Sequence, residues 1–361
     1  MAFFDLQNII LKIAGNFITI IYDSLTTFLI AFLIIFIFKI KDSNVKILFF
    51  FLPLIKPVII ISEKIQYNTD YFFNKNIVIG FRVPTPSLFI KRLEPIMKNP
   101  FNFNYLNNNI IYIISFLMLL ILIIRWISIY FFYKKISQKK YEEIYYDINI
   151  LTEKHSKILK IKKPSINLIK KDFISPFTIG IKDPTVVISK KTIQILNDTE
   201  KEILIQHELS HIKRKDNIIS WLALILKDIF FFNPISYIAY NLIRLEQEKA
   251  SDKLVVQNSE IKNDIIAQNI LSIIIKLIEA KQNKLLYLNQ NPSFFSFSNK
   301  ITSFYNFKML EIRIKSILSL NKNKIYMILP LRIFMYFLFL LILFIQIIII
   351  IKINGNFIFL R

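Results

Sequence analysis

The side chains best suited to chemistry lie in one short string, IQHELSHI, which runs from Ile205 to Ile212. Only three histidines occur in the chain, and two of them stand four positions apart in this string, at His207 and His211. Residues four apart share one face of a helix, so both imidazoles could reach a single metal ion. Zinc takes such nitrogen ligands and, at catalytic sites, keeps one position for water. Glu208 beside them could accept a proton from that water.

A carboxylate for the third ligand position lies downstream, in the segment RLEQEKASD that ends at Asp252. Glu248 and Asp252 are four apart and so share a helical face. Glu248 could bind the ion, while Asp252 could accept a hydrogen bond from His207 and fix its tautomer. Glu246 is the rival ligand, but it lacks a carboxylate partner at the same spacing. The sequence therefore predicts one Zn²⁺ ion per chain, bound by the two histidines and Glu248.

Plainer interpretations of these patterns are a pair of surface histidines and a charged surface stripe. The presence of both patterns in one chain favours the metal site. Asp216 is a weaker candidate for contacting a ligand, since a charge near a helix end is the simpler interpretation. His155 has no partner at ligand spacing and is predicted to be an ordinary solvated histidine.

Composition points to a membrane rather than to water. The chain of 361 residues is 54% hydrophobic and contains 35 phenylalanines, and its mean hydropathy is +0.47. Long apolar runs of this kind need lipid. The four glycines exclude a Gly-rich phosphate loop, and the absence of cysteine excludes disulfides, thiolate ligands and a Cys nucleophile. The net charge of +22 is placed beside the apolar runs and in one polar stretch. That placement fits anionic lipid, so no direct nucleic-acid binding is expected.

Four apolar runs are each near the ~20 residues needed to cross a bilayer. They cover about residues 17–38, 45–62, 110–133 and 325–351. Basic residues in the connection 39–46 and just after residue 134 predict that both segments are cytoplasmic. The N-terminus, the loop 63–108 and the C-terminal tail then lie outside the cytoplasm.

This topology gives a multi-pass protein of the cytoplasmic membrane with its active site facing the cytoplasm. Its predicted parts are a three-span membrane region at 1–133, a metallopeptidase domain at 134–324, and a fourth span with a short tail at 325–361.

The polar stretch carries the elements that must position the site. Phe177–Ile181 and Pro184–Ile188 predict a β-hairpin just before the metal helix. An extended peptide substrate is expected to pair with an exposed strand there, although a core hairpin is the open alternative. The residues predicted to bind it are Thr185, Val186, Val187 and Ile188.

Helix signals follow the hairpin. Thr199–Glu202 predicts a capping box that opens the metal helix, which should run to about Lys215. Apolar periodicity and the break at Asn233 and Pro234 indicate the next elements. They are an apolar helix at 218–232, a helix from 235 through the third ligand, an amphipathic helix at 261–288, and a loop at 289–305.

Taken together, these motifs resemble the membrane zinc metallopeptidases of the BlaR/MecR type, the β-lactam-sensing antirepressors. The resemblance covers roughly residues 1–355, including the four spans. The strings that carry it are SPFTIG from Ser175, PTVVIS from Pro184, HELSHIKRKDN from His207, Asn233-Pro234, Glu248 with Asp252, and RIKSI from Arg313. The resemblance implies a zinc site at His207, His211 and Glu248, with Glu208 as the catalytic glutamate.

Two departures from that family pattern affect what it implies. Ser251 stands where the family often has cysteine, at a position not expected to bind metal. The antibiotic sensors also carry a large extracellular penicillin-binding domain after the fourth span, whereas the present sequence ends at Arg361. Acylation by a β-lactam is therefore not expected, and a transcriptional repressor as substrate is an analogy only.

We therefore expect a mainly α, four-span transmembrane protein with a cytoplasmic α+β, gluzincin-like HExxH domain between spans three and four. Its partners would be a protein or peptide substrate and the lipid bilayer. One alternative is a membrane protease of the prenyl-protein-processing or heat-shock quality-control type, which shares the same motifs. Another is a non-catalytic membrane sensor that retains the fold. A channel or transporter is disfavoured because no charged pairs stand at midspan.

Overall fold

The computed structural model shows a mostly helical chain with one small sheet. It describes residues 2–73, 120, 122–128, 130, 131, 134, 146–169, 176–180, 183–288, 295–320 and 329–354. The helices before the sheet are α1 (Ala2–Ile37), α2 (Ser43–Phe73) and α3 (Tyr146–Leu159). The strands are β1 (Ser165–Ile169), β2 (Phe177–Ile179) and β3 (Thr185–Ser189). The later helices are α4 (Lys190–Ile195), α5 (Asp198–Arg214), α6 (Asp216–Ile229), α7 (Pro234–Asn258), α8 (Asn263–Leu288), α9 (Phe295–Leu318) and α10 (Leu329–Asn354).

The chain divides into two compact units. The first comprises Met1–Ser128, Ala223–Ile243 and Met327–Arg361, and the second comprises Ile129–Leu222 and Arg244–Tyr326. Two of the four boundaries thus fall inside α6 and α7. Residues 223–243 group with the predicted spans, whereas the sequence analysis placed all of 134–324 in one domain.

In the first unit, α1, α2 and α10 share an apolar core. Its buried members include Ala31, Val45, Phe49 and Met335. Asp42 begins α2 by accepting a hydrogen bond from the Asn44 backbone N–H at 2.8 Å, and it also pairs with Arg332 on α10. These polar contacts fix the connection between α1 and α2.

Helix α2 differs from its predicted extent. It contains Pro53 and Pro57 and continues to Phe73, although residues from 63 onward were predicted to be loop. Both prolines lie inside the helix without ending it. Residues 58–73 contain no further Pro or Gly that would break the helix.

Among the described residues, one helix is long and apolar enough to cross a membrane, over Ile20–Ile37. A shorter apolar helix covers Leu329–Phe344. Most of the predicted third span, 110–133, lies outside the described residues, although 122–128 are helical.

The sheet of the second unit has the strand order β1-β3-β2. β2 and β3 form the predicted antiparallel pair, with Thr178 opposite Val186. β1 was not predicted; it runs parallel to β3, with Ile166 opposite Val186. The sheet packs on the metal helix through a buried cluster that contains Leu168, Val186, Ile188, Ile205 and Leu209.

The prediction that a substrate pairs with Thr185, Val186, Val187 and Ile188 is wrong. Over Thr185–Val187 the strand has β1 on one side and β2 on the other, so both backbone edges are already used. Val186, Val187 and Ile188 are also buried. β3 is the central strand, and the core-hairpin alternative describes it.

The metal helix α5 begins two residues earlier than the predicted capping box. Asn197 is the N-cap: its side chain accepts a hydrogen bond from the Glu200 N–H at 2.8 Å, and Glu200 accepts one from the Asn197 N–H at 2.9 Å. The predicted box at Thr199–Glu202 was therefore in the wrong register. The helix ends as expected beside Lys215, which has a left-handed φ of 58°.

Helices α5, α7, α8 and α9 enclose a second apolar cluster. It contains Ile203 from α5, Val255 from α7, Ile266 and Ile270 from α8, and Ile317 from α9. The predicted loop at 289–305 is wrong over Phe295–Tyr305, which belongs to α9, while 289–294 lie outside the described residues. Packing at its C-terminal end stabilises a helix whose Asn- and Ser-rich start has no strong apolar period.

The observed cap yields a stability prediction. Asn197→Ala removes the acceptor for the Glu200 N–H and should lower the free energy of unfolding by about 1 kcal/mol. Thr199→Ala, at the wrongly predicted cap, is the control and should change stability by less than about 0.5 kcal/mol. Unfolding midpoints of both purified variants would test this, and a larger loss in Thr199→Ala would contradict the assigned cap.

Candidate metal centre

Helix α5 brings the two histidines together. His207 and His211 lie one turn apart on the same face, and their Nε2 atoms are 3.1 Å from each other. The apolar side chains of Ile205 and Leu209, on other faces of the same helix, are buried in the cluster beneath the sheet. Packing thus fixes the rotation of α5 and holds both imidazoles on one side of it.

Helix α7 supplies the third donor. Glu248 Oε2 lies 3.3 Å from His207 Nε2, and Glu248 Oε1 lies 3.7 Å from His211 Nε2. One donor atom from each of the three residues falls within 4.8 Å of the others. In the described part of the chain, this is the group whose geometry could hold a metal ion.

Each histidine has a carboxylate behind it. His207 Nδ1 lies 3.0 Å from Asp252 Oδ1, though the alignment falls short of an ideal hydrogen bond. His211 Nδ1 lies 2.8 Å from Asp216 Oδ2 and 3.0 Å from Ser251 Oγ. Carboxylates in these positions favour the tautomer that carries the proton on Nδ1. In that tautomer both Nε2 atoms carry a free lone pair.

This donor set fits a metal ion. Two nitrogen lone pairs 3.1 Å apart repel each other unless a proton or a cation lies between them. A tetrahedral zinc ion with N ligands at 2.0–2.1 Å would hold those nitrogens about 3.3 Å apart. The observed separation of 3.1 Å between the two nitrogens is close to that value, and each nitrogen has a Glu248 oxygen within 3.3 or 3.7 Å. The residues present therefore suit a small cation with nitrogen and oxygen ligands.

Arg313 from α9 neutralises the acidic side of the site. Its Nε and Nη2 donate to the two oxygens of Asp252 at 2.8 Å each, and its Nη1 lies 3.0 Å from Glu248 Oε2. Burial tends to raise the pKa of Glu248, but the Arg313 guanidinium and the two histidines hold it well below its usual range. Burial opposes a low pKa at Asp252 too, yet Arg313 and His207 lower it.

The field of these carboxylates favours a positive charge at His207. Burial tends to lower the pKa of His207, but its contacts with Asp252 and Glu248 raise it to about 10. The site thus stabilises a cation at this ring, whether a proton or a metal. Because both use the Nε2 lone pair, metal binding would release the proton.

Glu208 lies on the turn between the two histidines and is buried. Its Oε2 is 3.4 Å from Thr178 Oγ1 on β2. The sheet therefore approaches the metal helix at the glutamate that the sequence predicts as the base.

The sequence did not indicate the contacts that several residues make at the site. Asp216 contacts His211 rather than serving only as a helix-end charge. Arg313 entered only within a family-like string, because nothing local links it to residues sixty positions away. Glu246, the rival ligand, instead pairs with Lys249 at 2.8 Å.

The prediction that His155 is solvated is wrong. It is buried, its Nε2 lies 2.9 Å from Glu202 Oε1, and Gln206 Nε2 lies 3.2 Å from its Nδ1. Burial lowers the pKa of His155 in spite of the opposing effect of Glu202. Its partners lie on the metal helix, forty-seven or more positions along the chain, which is why the sequence did not reveal them.

Two histidines, a carboxylate from a second helix and an adjacent buried glutamate are the groups that metal-dependent peptidases bring together. A sequence model of the family described as BlaR1 peptidase M56 matches residues 45–293. The chain belongs to this peptidase family.

Similar proteins agree with that assignment over short stretches. The chain is 35% identical over 83 residues to the Methicillin resistance mecR1 protein of Staphylococcus aureus, which is 23% of this chain and 14% of that protein. It is 31% identical over 108 residues to Regulatory protein BlaR1 of Bacillus licheniformis, 30% of this chain and 17% of that one. A Protease HtpX homolog of Bacteroides fragilis is 38% identical over 72 residues, 19% of this chain and 22% of that one. The match therefore spans less than a quarter of each relative.

Metal analysis of purified variants tests the donor set. His207→Ala, His211→Ala and Glu248→Gln should each weaken metal binding, because each removes a converging donor atom. Glu246→Gln is the matched control: it lies on the same helix, two positions from Glu248, and contacts Lys249 instead. Full metal content in Glu248→Gln together with a loss in Glu246→Gln would show that the wrong carboxylate has been assigned.

Proposed function

We propose that this chain is a zinc-dependent endopeptidase of a membrane that carries out regulatory cleavage of another protein. The observation that carries the proposal is the convergence of His207, His211 and Glu248 donor atoms within 4.8 Å. Glu208, buried between the two histidines, supplies the required base. Membership of a peptidase family supports the reaction class.

The catalytic work of the chain falls to Glu208. A zinc ion in this site supplies polarisation of the scissile carbonyl and activation of water. Glu208 accepts the proton of the attacking water as the C–O bond forms, and it returns the proton to the amine nitrogen as the C–N bond breaks. The Thr178 hydroxyl, 3.4 Å from Glu208 Oε2, helps to orient the carboxylate.

The edge of β2 replaces β3 as the candidate substrate-binding strand. Among the described residues, no strand pairs with the side of β2 that faces away from β3. Thr178 on β2 also contacts the proposed base. A peptide that pairs along Phe177–Ile179 would be held through main-chain hydrogen bonds, which suits substrates of varied sequence. Its scissile bond would then lie close to Glu208.

Arg313 acts as a positioning residue. It holds Asp252 through both oxygens and Glu248 through one, so it fixes the two carboxylates of α7 relative to the histidines of α5. Its positive charge also offsets part of the negative charge of the ligand set. A less negative ligand set leaves a bound cation more electrophilic.

The apolar helices support a membrane location. Ile20–Ile37 is long enough to span a bilayer, and the exposed side chains along α1 and α10 are large and apolar. We retain the four-span topology as a proposal, with the catalytic residues on the cytoplasmic side and the protein in the cytoplasmic membrane. The short basic connection after α1 and the lysines after residue 133 support this orientation.

The substrate class is supported by the relatives. Two of them carry names that describe resistance and regulation, which favours cleavage of a regulatory protein, such as a transcriptional repressor. The match to a Protease HtpX homolog supports a second candidate function, quality-control or prenyl-protein processing in the membrane. New protein termini in cells with the wild-type chain, absent with Glu208→Gln, would distinguish cytosolic from membrane substrates. A non-catalytic sensor would produce neither.

The mechanism predicts a separation of metal binding from activity. Glu208→Gln keeps the shape of the side chain but removes the base, so peptidase turnover should fall by about 10²–10⁴-fold while bound zinc stays at the wild-type level. Peptide cleavage by the purified chain and zinc content would be measured on the same sample. Turnover equal to that of the wild type would contradict the proposed mechanism.

The proposed topology predicts the position of fused reporters. Fusions near residue 85 and after residue 361 should report an extracytoplasmic location, while fusions near residues 42 and 160 should be cytoplasmic. The physical reason is the placement of Lys and Arg beside the apolar runs. A cytoplasmic signal at residue 85 would overturn the four-span arrangement.

A further inference from the structure

Helix α6 displays a stripe of apolar side chains. Ile218, Leu222, Ile225 and Ile229 are each more than a third exposed. Their spacings of four, three and four residues place them on one side of the helix. A helix face that met water would carry polar groups at such positions. The stripe therefore marks a face that contacts something apolar.

The charges of this segment are hidden inside it. Lys227 and Asp228 are both buried and form a 2.9 Å ion pair. The Lys227 ammonium also lies 5.1 Å from the ring centroids of Tyr237 and Tyr240 on α7. Pairing and cation–π contacts of this kind are how ionisable groups are accommodated away from water. The two charged side chains of the segment are thus buried and paired, and Asp228 also lies 3.3 Å from Arg125.

The turn between α6 and α7 pairs several of its backbone groups within the protein. The Asn233 N–H donates to the Phe230 carbonyl at 2.9 Å, and the Ser236 N–H donates to the Asn233 carbonyl at 3.1 Å. The Ile235 N–H donates to Asn233 Oδ1 at 3.0 Å, and Pro234 has no N–H to satisfy. Irregular backbone is tolerated at membrane depth only when its polar groups are met within the protein.

The same turn lies beside the candidate membrane span. Asn233 Nδ2 donates to Ser24 Oγ on α1 at 2.8 Å, and this contact is buried within the first unit. Ser24 belongs to the Ile20–Ile37 segment that could cross a bilayer. From Ser24 to Phe38, where α1 has ended, is about 21 Å along a helix axis. The turn therefore lies beside the N-terminal part of that segment, well away from the end that the proposed topology places at the cytoplasm.

The length of α6 agrees with this depth. Its 14 residues span about 21 Å at the helical rise. That is too short to cross a hydrocarbon core of roughly 30 Å, and apolar helices of this length occur as buried core helices and as re-entrant segments. The exposed stripe of α6 favours the second of these.

We propose that residues 218–243 form a re-entrant hairpin that enters the bilayer, with the stripe of α6 against phospholipid acyl chains. The inference rests on the membrane location proposed above. Asp216, which begins α6, contacts His211, and α7 continues from the hairpin to Glu248. The hairpin is therefore continuous in sequence with both segments that complete the metal centre.

The absence of cysteine from the chain makes the test direct, since one introduced cysteine is the sole labelling site. Ile229→Cys in the full-length protein would carry a bimane label, in phosphatidylcholine vesicles. Emission would be measured with doxyl-labelled phosphatidylcholine and, separately, with iodide on both sides of the bilayer. The matched controls are Leu33→Cys, 53% exposed on α1 like Ile229 at 53%, and Ile150→Cys, 48% exposed on α3. Ile225→Cys replaces Ile229→Cys if the latter does not retain wild-type metal content.

The hairpin predicts that Ile229→Cys behaves like Leu33→Cys, with emission lost to the lipid quencher and retained in iodide, while Ile150→Cys shows the reverse. Iodide quenching at Ile229 with lipid quenching at Leu33 would overturn the hairpin and leave the membrane location standing. Protection of Ile229 from both quenchers would also overturn it, because a protein surface such as a second copy would then cover the stripe. Iodide quenching at Leu33 as well would refute the membrane location itself.

Discussion

Two imidazole nitrogens that face each other at 3.1 Å place the strongest constraint on this molecule. Their lone pairs repel, and the carboxylates behind them add negative charge, so the arrangement is stable only with a positive charge in its midst. The chain itself supplies one such charge as Arg313, on the side of Glu248 and Asp252. A cation among the three donors would meet the remaining demand. Buried charges of this kind are stabilised only when their partners are held in fixed positions.

The rest of the second unit holds these partners in position. The metal helix has apolar contacts on more than one face, with the sheet through Leu209 and with α7, α8 and α9 through Ile203. Its N-terminus is fixed by the reciprocal bonds of Asn197 and Glu200, and Glu200 is further held by Ser272 and Lys276 on α8. Small rotations of α5 would separate the donors, so these contacts far from the proposed ligands would contribute to metal affinity.

The features that could be predicted from the sequence are those that depend on residues close together in the chain. His207, Glu208 and His211 share one helical turn, and Glu248 with Asp252 shares another, so spacing alone placed them on common faces. The β2–β3 pair was also predictable, because turn residues separate two β-rich runs. The family resemblance was confirmed by the match over residues 45–293.

The features that could not be predicted are mostly those that depend on contacts between residues distant in sequence. β1 pairs with β3 in parallel, and a parallel partner has no turn motif in the sequence that would predict it. For this reason β3 was predicted to be an accessible strand. His155 looked solvated because Glu202 and Gln206 reach it only after α3 has packed on α5. The capping register failed for another reason: Thr199–Glu202 matches the motif as well as Asn197–Glu200 does, and only the backbone geometry selects between them.

The bidentate contact between Arg313 and Asp252 has a consequence for how such chains can change over generations. Loss of Asp252 alone would leave the guanidinium with one partner fewer, and loss of Arg313 alone would leave the buried Asp252 carboxylate with only His207 as a charged partner. Either single change should therefore lower stability. The two positions are therefore expected to vary jointly among descendants of a common ancestor, although they lie on different helices and neither is a proposed metal ligand.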